Sequence, residues 1–298
     1  MDLIVEEQIL LEDKGIRAAT AASGQAPWRF VMQNLEKRRD PLHSVVHLPY
    51  SSSWVFTTGQ KTKWCLDPFL VFPPTEEEVR EIATGLRDFD FCIITHLHRD
   101  HFQVDLLQEI ERQGTDIQWL VPEWILPAFS EKFPEAPKAR IMPLPMNREI
   151  TVCDIRITTF DGFHFEPNGN GCPSCALAVR LPDGVRLSFP IDTRNYDVEI
   201  PEAMKNCDYL FAHIWLGRDC SHLREFPLFK PFCDFCLSFN AKNIIVGHFF
   251  EVMRAVHSMW TGRHAMLIQK ELSSRVGAPP VVVPRRAESI TLLPLFSH

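Results

Sequence analysis

The order of elements along this sequence predicts an α+β fold: a four-layer αββα sandwich of two mixed β-sheets packed face to face, with helices over both outer faces. Three observations carry it. Short apolar runs rich in branched and aromatic residues read as strands. They alternate with helix-spaced segments in the order strands, helices, strands, helices. A chain of 298 residues with 45% hydrophobic content is long enough to bury a large core. The expected organisation is a helical extension at residues 1–42 and a single domain at 43–298.

Taken in order, Leu3, Ile4, Ile9, Leu10 and Leu11 give the extension its apolar positions, and AASGQAP breaks it. From His43 the pattern turns to strands: SVVHLPY, then SWVFTT and KTKWCLDPFL as a hairpin about Gly59–Gln60. An acidic helix from Thr75 to Leu86 opens with PTEEEVREI, which puts carboxylates where the helix dipole favours them. DFDFCIIT reads as a buried strand. HFQVDLLQEIERQG follows as a helix, with Phe102, Leu106, Leu107 and Ile110 at helical intervals and Gly114 as its stop. IQWLVP and ARIMPL are strands flanking a helix, EITVCDIRITTF is a hairpin, and ALAVRLPDGVRLSFPID is a hairpin turning at Asp183–Gly184. CDYLFAHIWL and KNIIVGHFF are strands separated by a helix, and a long helix is expected from Glu251 to Arg275.

Composition narrows the function. A formal charge of −7 and a pI near 5.9 argue against a surface built for phosphate contacts. Nucleic acid is therefore an unfavoured partner, and a small-molecule or lipid-like substrate the favoured one. The opening MDLIVEEQILLEDKG carries acids where a secretory signal carries bases, and no apolar run is long enough to span a bilayer. Nine cysteines, an odd count, suit thiols or metal ligands better than a disulfide framework. A soluble, cytoplasmic protein is expected, with a homo-oligomer left open.

The densest chemistry lies in IITHLHRDHF, Ile93 to Phe102, at the junction of a strand and a helix. His96 and His98, two apart at a strand end, can converge on one ion when the backbone bends. Asp100 and His101, at the mouth of the helix, can serve a second ion about 3.5–4 Å away. Further ligands occur downstream: His164 closes ITTFDGFH, Asp192 closes RLSFPID and His248 closes NIIVGH.

This series resembles the metallo-β-lactamase fold superfamily, whose HxHxDH motif reads here as His96-Leu97-His98-Arg99-Asp100-His101. WCLDPFL, with Asp67 ending a strand, is similar to that superfamily's first motif, and the likeness runs from residue 43 to residue 250. The resemblance implies that His96, His98 and His164 hold one metal, that Asp100, His101 and His248 hold a second, and that Asp192 bridges the two. Asp67 would orient ligands without being one. Two positions depart from the pattern: Phe102-Gln103-Val104 follows the motif where a glycine is common, and Pro190-Ile191 precedes Asp192 where a glycine is common.

Histidine and carboxylate ligands suit zinc first, with manganese or iron as alternatives. The implied activity is hydrolysis by a hydroxide bridging two divalent ions, with Asp100 taking up the proton and an ester, lactone or phosphodiester as the bond cleaved. LDPFL resembles the branch that contains sugar-phosphate lactonases and phospholipase D-like enzymes. In Phe211–Phe226, His213 and His222 are candidate donors to a leaving group, with His222 the one assigned a catalytic role; Arg218 or Arg224 would hold an anion. The plainer readings are a core histidine at position 213 and an exposed loop histidine at 222. Trp215, Phe249 and Phe250 suit an apolar pocket or ordinary core. Cys172-Pro173-Ser174-Cys175 and Cys233-Asp234-Phe235-Cys236 are each C-x-x-C, which fits a structural zinc site or simply buried thiols.

Two rival functions share the motif. One is a persulfide dioxygenase-like oxidoreductase with a single iron; the other is a metal-binding protein without turnover, whose signature would be a missing ligand. No ligand is missing. Flavin-linked diiron reductases resemble HxExD, and position 98 is histidine.

Overall fold

The computed structural model describes residues 31–32, 35, 43–70, 74–249, 255–284 and 288–294. The expected N-terminal helix lies outside these, apart from helical positions at Val31, Met32 and Leu35. The first sheet is built from β1 (Ser44–Tyr50), β2 (Ser53–Thr57), β3 (Lys63–Leu66), β4 (Phe91–Ile93), β5 (Gln118–Pro122) and β6 (Ile141–Leu144). The second contains β7 (Glu149–Val152), β8 (Ile155–Asp161), β9 (Cys175–Arg180), β10 (Arg186–Ile191), β11 (Tyr209–His213), β12 (Asn243–Gly247) and β13 (Val281–Val282). A last strand, β14 (Ser289–Leu292), returns to pair with β1, so each sheet has seven strands.

Both sheets are mixed. In the first, β1 to β3 run antiparallel and β3 to β6 parallel. In the second, β7 to β10 run antiparallel and β10 to β13 parallel. Because strand side chains alternate in direction, each strand of the first sheet feeds two cores. Trp54, Phe56, Trp64, Leu66, Phe91, Ile93 and Leu120 face the second sheet and join Phe189 and Phe211 there. Val55, Cys65, Cys92, Trp119 and Val121 face outward against helices. Between the sheets Phe56 stacks on Trp64 at 3.9 Å, and Phe189 on Phe211 at 4.5 Å.

Helices α1 (Glu76–Leu86), α2 (Val104–Arg112) and α3 (Leu126–Lys132) cover the first sheet through Ile82, Leu86, Leu107, Ile110 and Phe129. α4 (Phe229–Ser238) and α5 (Gly262–Ser273) cover the second through Phe232, Cys236, Ile268 and Leu272. The start of α1 follows from its sequence: Glu78 N donates to Thr75 Oγ1 at 3.2 Å while Thr75 N donates to Glu78 Oε2 at 2.8 Å, a reciprocal cap.

The long helix expected over Glu251–Arg275 is shorter than that. A single turn at Val256–Ser258 precedes α5, which begins only after Thr261, an extended residue at φ −131°. A threonine followed by glycine favours a cap over a helix interior. Residues 250–254 lie outside the described part, Phe250 included. Strands β13 and β14 were not expected. Among the described residues no helix is long and apolar enough to cross a membrane.

Candidate metal centre

Strand ends at one edge of the sandwich deliver the candidate ligands. Asp67 follows β3, His96 follows β4, His164 follows β8, Asp192 follows β10 and His248 follows β12. Asp67 and His248 sit at φ 46° and 62°, and Ile191, just before Asp192, at φ 57°. The left-handed region is tolerable for Asp and His but strained for a branched isoleucine. The pairing of β10 with β11 shifts register between Ser188 and Ile191, so the backbone departs from regular strand geometry just before the carboxylate. Ile191 therefore takes the conformation that the expected glycine would take without strain.

Asp67 is an acceptor for three donors. Thr95 N reaches its Oδ1 at 2.8 Å, Thr95 Oγ1 its Oδ2 at 2.5 Å, and His101 Nδ1 its Oδ2 at 2.7 Å. Nδ1 of His101 is thereby committed to this carboxylate, and Nε2 is the nitrogen that faces the centre. Asp67 thus holds His101 by Nδ1 and falls in one donor group with His96 and His101.

Around Asp192 the candidate ligands divide by oxygen. Oδ2 faces Nε2 of His164 at 3.8 Å and of His96 at 4.0 Å. Oδ1 faces Nε2 of His101 at 3.3 Å and of His248 at 3.4 Å. Asp100 Oδ2 lies 3.4 Å from His248 Nε2 and 3.9 Å from His101 Nε2. His98 joins His96 and His164 in a group with Cys172, whose donor atoms all lie within 4.8 Å of one another. The fit to metal ions rests on buried, unmatched nitrogens: Nε2 of His96, His101 and His164 has no hydrogen bond. Three such atoms together would be costly in a fold that never bound a cation.

Electrostatics separate the rings. Burial lowers the pKa of His96 well below the ordinary value, with His101 adding to the effect and Asp192 opposing it. Burial takes His164 down to about 3 and also lowers His98. His101 goes the other way: burial alone would lower it, but Asp192, Asp67 and Asp100 together hold it well above the ordinary range. Burial works against ionisation of Asp192 too, yet His248 and His101 keep its pKa well below that of a free carboxylate. Neutral His96, His98 and His164 and an ionised Asp192 are in the states that bind a cation, whereas His101 would give up its extra proton on binding one.

Several residues at the centre were missed or undervalued in the sequence. Ser51 and Ser52 form the buried turn between β1 and β2, Ser53 opens β2, and together they hold three segments that carry candidate ligands. Ser51 O accepts from His248 N at 3.0 Å, Ser52 Oγ donates to Asp100 O at 2.8 Å, and Ser53 Oγ donates to Asp67 O at 2.7 Å. The signal was there: three consecutive serines between two apolar strands, where one turn residue would do. Gln103, at one of the two departures noted above, is buried and accepts from Leu70 N at 2.7 Å, tying the start of α2 to the segment after Asp67.

His213 ends β11 inside the centre. Its Nδ1 lies 2.9 Å from Asp192 Oδ1, and Trp54 Nε1, which only donates, reaches its Nε2 at 3.5 Å. That leaves Nδ1 to donate to Asp192, although the ring also falls in one donor group with His101, Asp192 and His248. Gly247 makes room for this arrangement, since a Cβ there would lie 2.7 Å from Trp54 Cζ2.

The remaining candidates stand elsewhere. His222 and Arg224 are exposed on the segment between β11 and α4, and His222 is not among the clustered donor residues. Arg218 pairs with Glu166, which also faces Arg194 at 3.7 Å. Arg194 lies over the Trp215 ring at 4.6 Å, and its charge lowers the pKa of His98 and His164. Trp215 and Phe249 are buried core. The two C-x-x-C pairs form no common donor group among the described residues, and all nine cysteines are free.

Comparison with known proteins agrees with this geometry. Residues 65–249 match the family described as Beta-lactamase superfamily domain, and the chain belongs to that family, a superfamily composed mostly of metal-dependent hydrolases. No curated protein matches it. Among solved structures it is similar to Igni18, a metallo hydrolase from Ignicoccus hospitalis, at 12% identity and a TM-score of 0.57, covering 84% of this chain and 97% of that one. The metallo-beta-lactamase fold protein YhfI from Bacillus subtilis is also similar at 12% identity and 0.55, covering 83% and 99%. So is CmlA, a diiron beta-hydroxylase from Streptomyces venezuelae, at 12% and 0.56, covering 85% of this chain and 55% of that one. At these identities the likeness establishes the fold alone.

Proposed function

We propose that this protein is a binuclear metal-dependent hydrolase that cleaves an ester, lactone or phosphodiester bond in a small-molecule or lipid-like substrate. One observation carries the reading: the two oxygens of Asp192 face two separate sets of histidine nitrogens, at 3.8 and 4.0 Å on one side and 3.3 and 3.4 Å on the other. His96, His98 and His164 would hold one ion, His101, His248 and Asp100 the other, with zinc favoured over manganese or iron. Divalent ions held by these residues would supply Lewis acidity and would activate water near neutral pH.

The protein's own groups do the rest. Asp67 keeps His101 in the tautomer a cation needs, and His213 holds Asp192 by Nδ1. Asp100, partly open to solvent, is positioned to take up a proton beside the reacting bond. Arg194, fixed by Trp215 and Glu166, offers its guanidinium to a carboxylate or phosphate of the substrate. His222, exposed on the segment between β11 and α4, stays the candidate for the leaving-group proton on sequence position alone, and a His222→Ala variant that keeps its kcat would remove it from the scheme. The nine free thiols accord with a reducing, cytoplasmic setting.

The test is elemental mass spectrometry on untagged protein beside a His96→Ala, Asp192→Ala variant. About two zinc or manganese ions per chain, lost in the variant, are expected, followed by turnover in a panel of phosphodiester, lactone and thioester substrates. One iron per chain would favour a single-iron oxidoreductase instead. Metal no higher than in the variant would end the metalloenzyme reading.

A further inference from the structure

Resting on the metal-centre reading above, we infer that Cys172 is a side-chain ligand of the ion held by His96, His98 and His164, adding a thiolate to that group. The placement of Cys172 is built by the fold. Its N–H reaches His164 Nδ1 at 3.2 Å, and its Sγ lies 3.8 Å from the same nitrogen. Gly171, at φ 143°, permits this approach: a Cβ there would lie 2.4 Å from the His164 carbonyl oxygen. On the other side the segment is stitched to the histidine motif. Ser174 bridges His96, Cys175 N donates to Thr95 O at 3.1 Å, and Gly162 N donates to Ser174 O at 2.8 Å. Cys172 therefore hangs between two ligand-bearing segments and hydrogen-bonds to one of them, in a loop that cannot swing away without breaking this pairing.

The chemistry agrees with the placement. Tetrahedral zinc, with bonds of about 2.0 Å to nitrogen and about 2.3 Å to sulfur, sets its donors roughly 3.3–3.6 Å apart. The four donor atoms here lie within 4.8 Å of one another, and Nε2 of His96 is buried without a hydrogen bond. As the ion enters, the thiol proton leaves to solvent and no electron moves. A thiolate makes the first group softer than a histidine and carboxylate set, so it discriminates in favour of zinc and cobalt against manganese.

Cobalt(II) loading of the full chain tests this. A thiolate-to-cobalt charge-transfer band in the near ultraviolet is expected, absent in Cys172→Ser while that variant still binds cobalt. Cobalt uptake without the band, or a band that survives in Cys172→Ser, would overturn the inference and leave the hydrolase reading intact. No cobalt uptake would overturn both. Independently of the variant's folding, iodoacetamide labelling of the wild-type chain should slow at Cys172 by tenfold or more on adding zinc. The exposed Cys153 serves as the unprotected reference, and equal labelling of Cys172 with and without zinc would also overturn the inference.

Discussion

Replacing Asp67 with asparagine isolates what that residue does, because the change keeps size and shape and alters only which hydrogen bonds are available. In the wild type Oδ1 accepts from Thr95 N at 2.8 Å, and Oδ2 accepts from Thr95 Oγ1 at 2.5 Å and His101 Nδ1 at 2.7 Å. Thr95 N can only donate, so the asparagine must keep its oxygen there and turn its NH₂ toward Thr95 Oγ1 and His101. His101 Nδ1 then has to accept. The ring proton moves to Nε2, which faces Asp192 Oδ1 at 3.3 Å and is the nitrogen an ion needs.

The fold has little reason to fail, since the hydroxyl of Thr95 can rotate and both side chains remain paired. Metal affinity has every reason to fall. Loss of a carboxylate that orients a ligating histidine typically costs about 10–100-fold in affinity, or about 1.4–2.8 kcal/mol. Competition against a chromogenic chelator, with zinc counted per chain, should show the ion beside His101 weakened by that amount and the ion beside His96 weakened as well, because Thr95 Oγ1 also meets His96 Nδ1 at 3.1 Å, while Tm of the chelated protein stays within a few degrees. Two ions bound as tightly as in the wild type would refute the tautomer argument.

Other perturbations have equally definite outcomes. Ser53→Ala removes a hydroxyl that donates to Asp67 O at 2.7 Å and accepts from Phe69 N at 2.8 Å in a fully buried turn, stranding two backbone groups; urea unfolding should show a loss of about 2–4 kcal/mol, and a change under about 0.5 would mean that the turn relaxes freely. Ile191→Gly relieves about 1–3 kcal/mol of left-handed strain but gives up the burial of a side chain with 0% exposure, worth about 2–5 kcal/mol; a lower Tm is expected, and a higher one would show that the strain outweighs the packing. After chelation, His213, whose pKa burial pushes down to about 4, stays neutral in the fold while the unfolded chain takes up its proton, so stability should fall by up to about 3 kcal/mol as pH drops from about 6.5 to about 4. His101, held well above its ordinary pKa, contributes in the opposite sense, and that stability is lost as pH rises above about 6.5; thermal melts of chelated protein that stay flat on both sides would contradict both assignments.

The candidate ligands were legible because each is the first metal-capable residue after an apolar run, and a strand's end is where side chains leave the core for a site. His96, Asp192 and His248 all follow that rule, and so does the helix start at Thr75, whose cap needs only residues three apart. What the sequence hides depends on pairing between distant segments. Nothing local says that Ser51 meets His248 or that Cys172 meets His164, because those contacts arise from which strands neighbour which. His213 looked like a core residue, and it is one; its partner, Asp192, lies 21 positions away. The end of the chain was harder still. A two-residue parallel strand such as β13 has too few residues to show any period.

The same edge of the sandwich also concentrates backbone strain. Asp67, Ile191 and His248 each end or follow a strand in the left-handed conformation, and each carries or immediately precedes a group at the centre. A left-handed residue stops the pleat and turns the next side chain out of its alternation, which is how a strand whose faces are both buried can still direct a carboxylate or imidazole along its own axis. The cost is about 1–3 kcal/mol at Ile191 and less at Asp67 and His248, residue types that tolerate the region. Packing offsets it: the strands behind these residues hold Leu66, Phe189 and Val246, all with 0% exposure, and each fully buried side chain of this size contributes about 1.5–3 kcal/mol. The rigid core is therefore what allows three chain reversals to be held at fixed positions around Asp192. A truncation in that core, such as Phe189→Ala, should loosen metal binding as well as lower stability, although Phe189 lies in β10 away from any ligand atom.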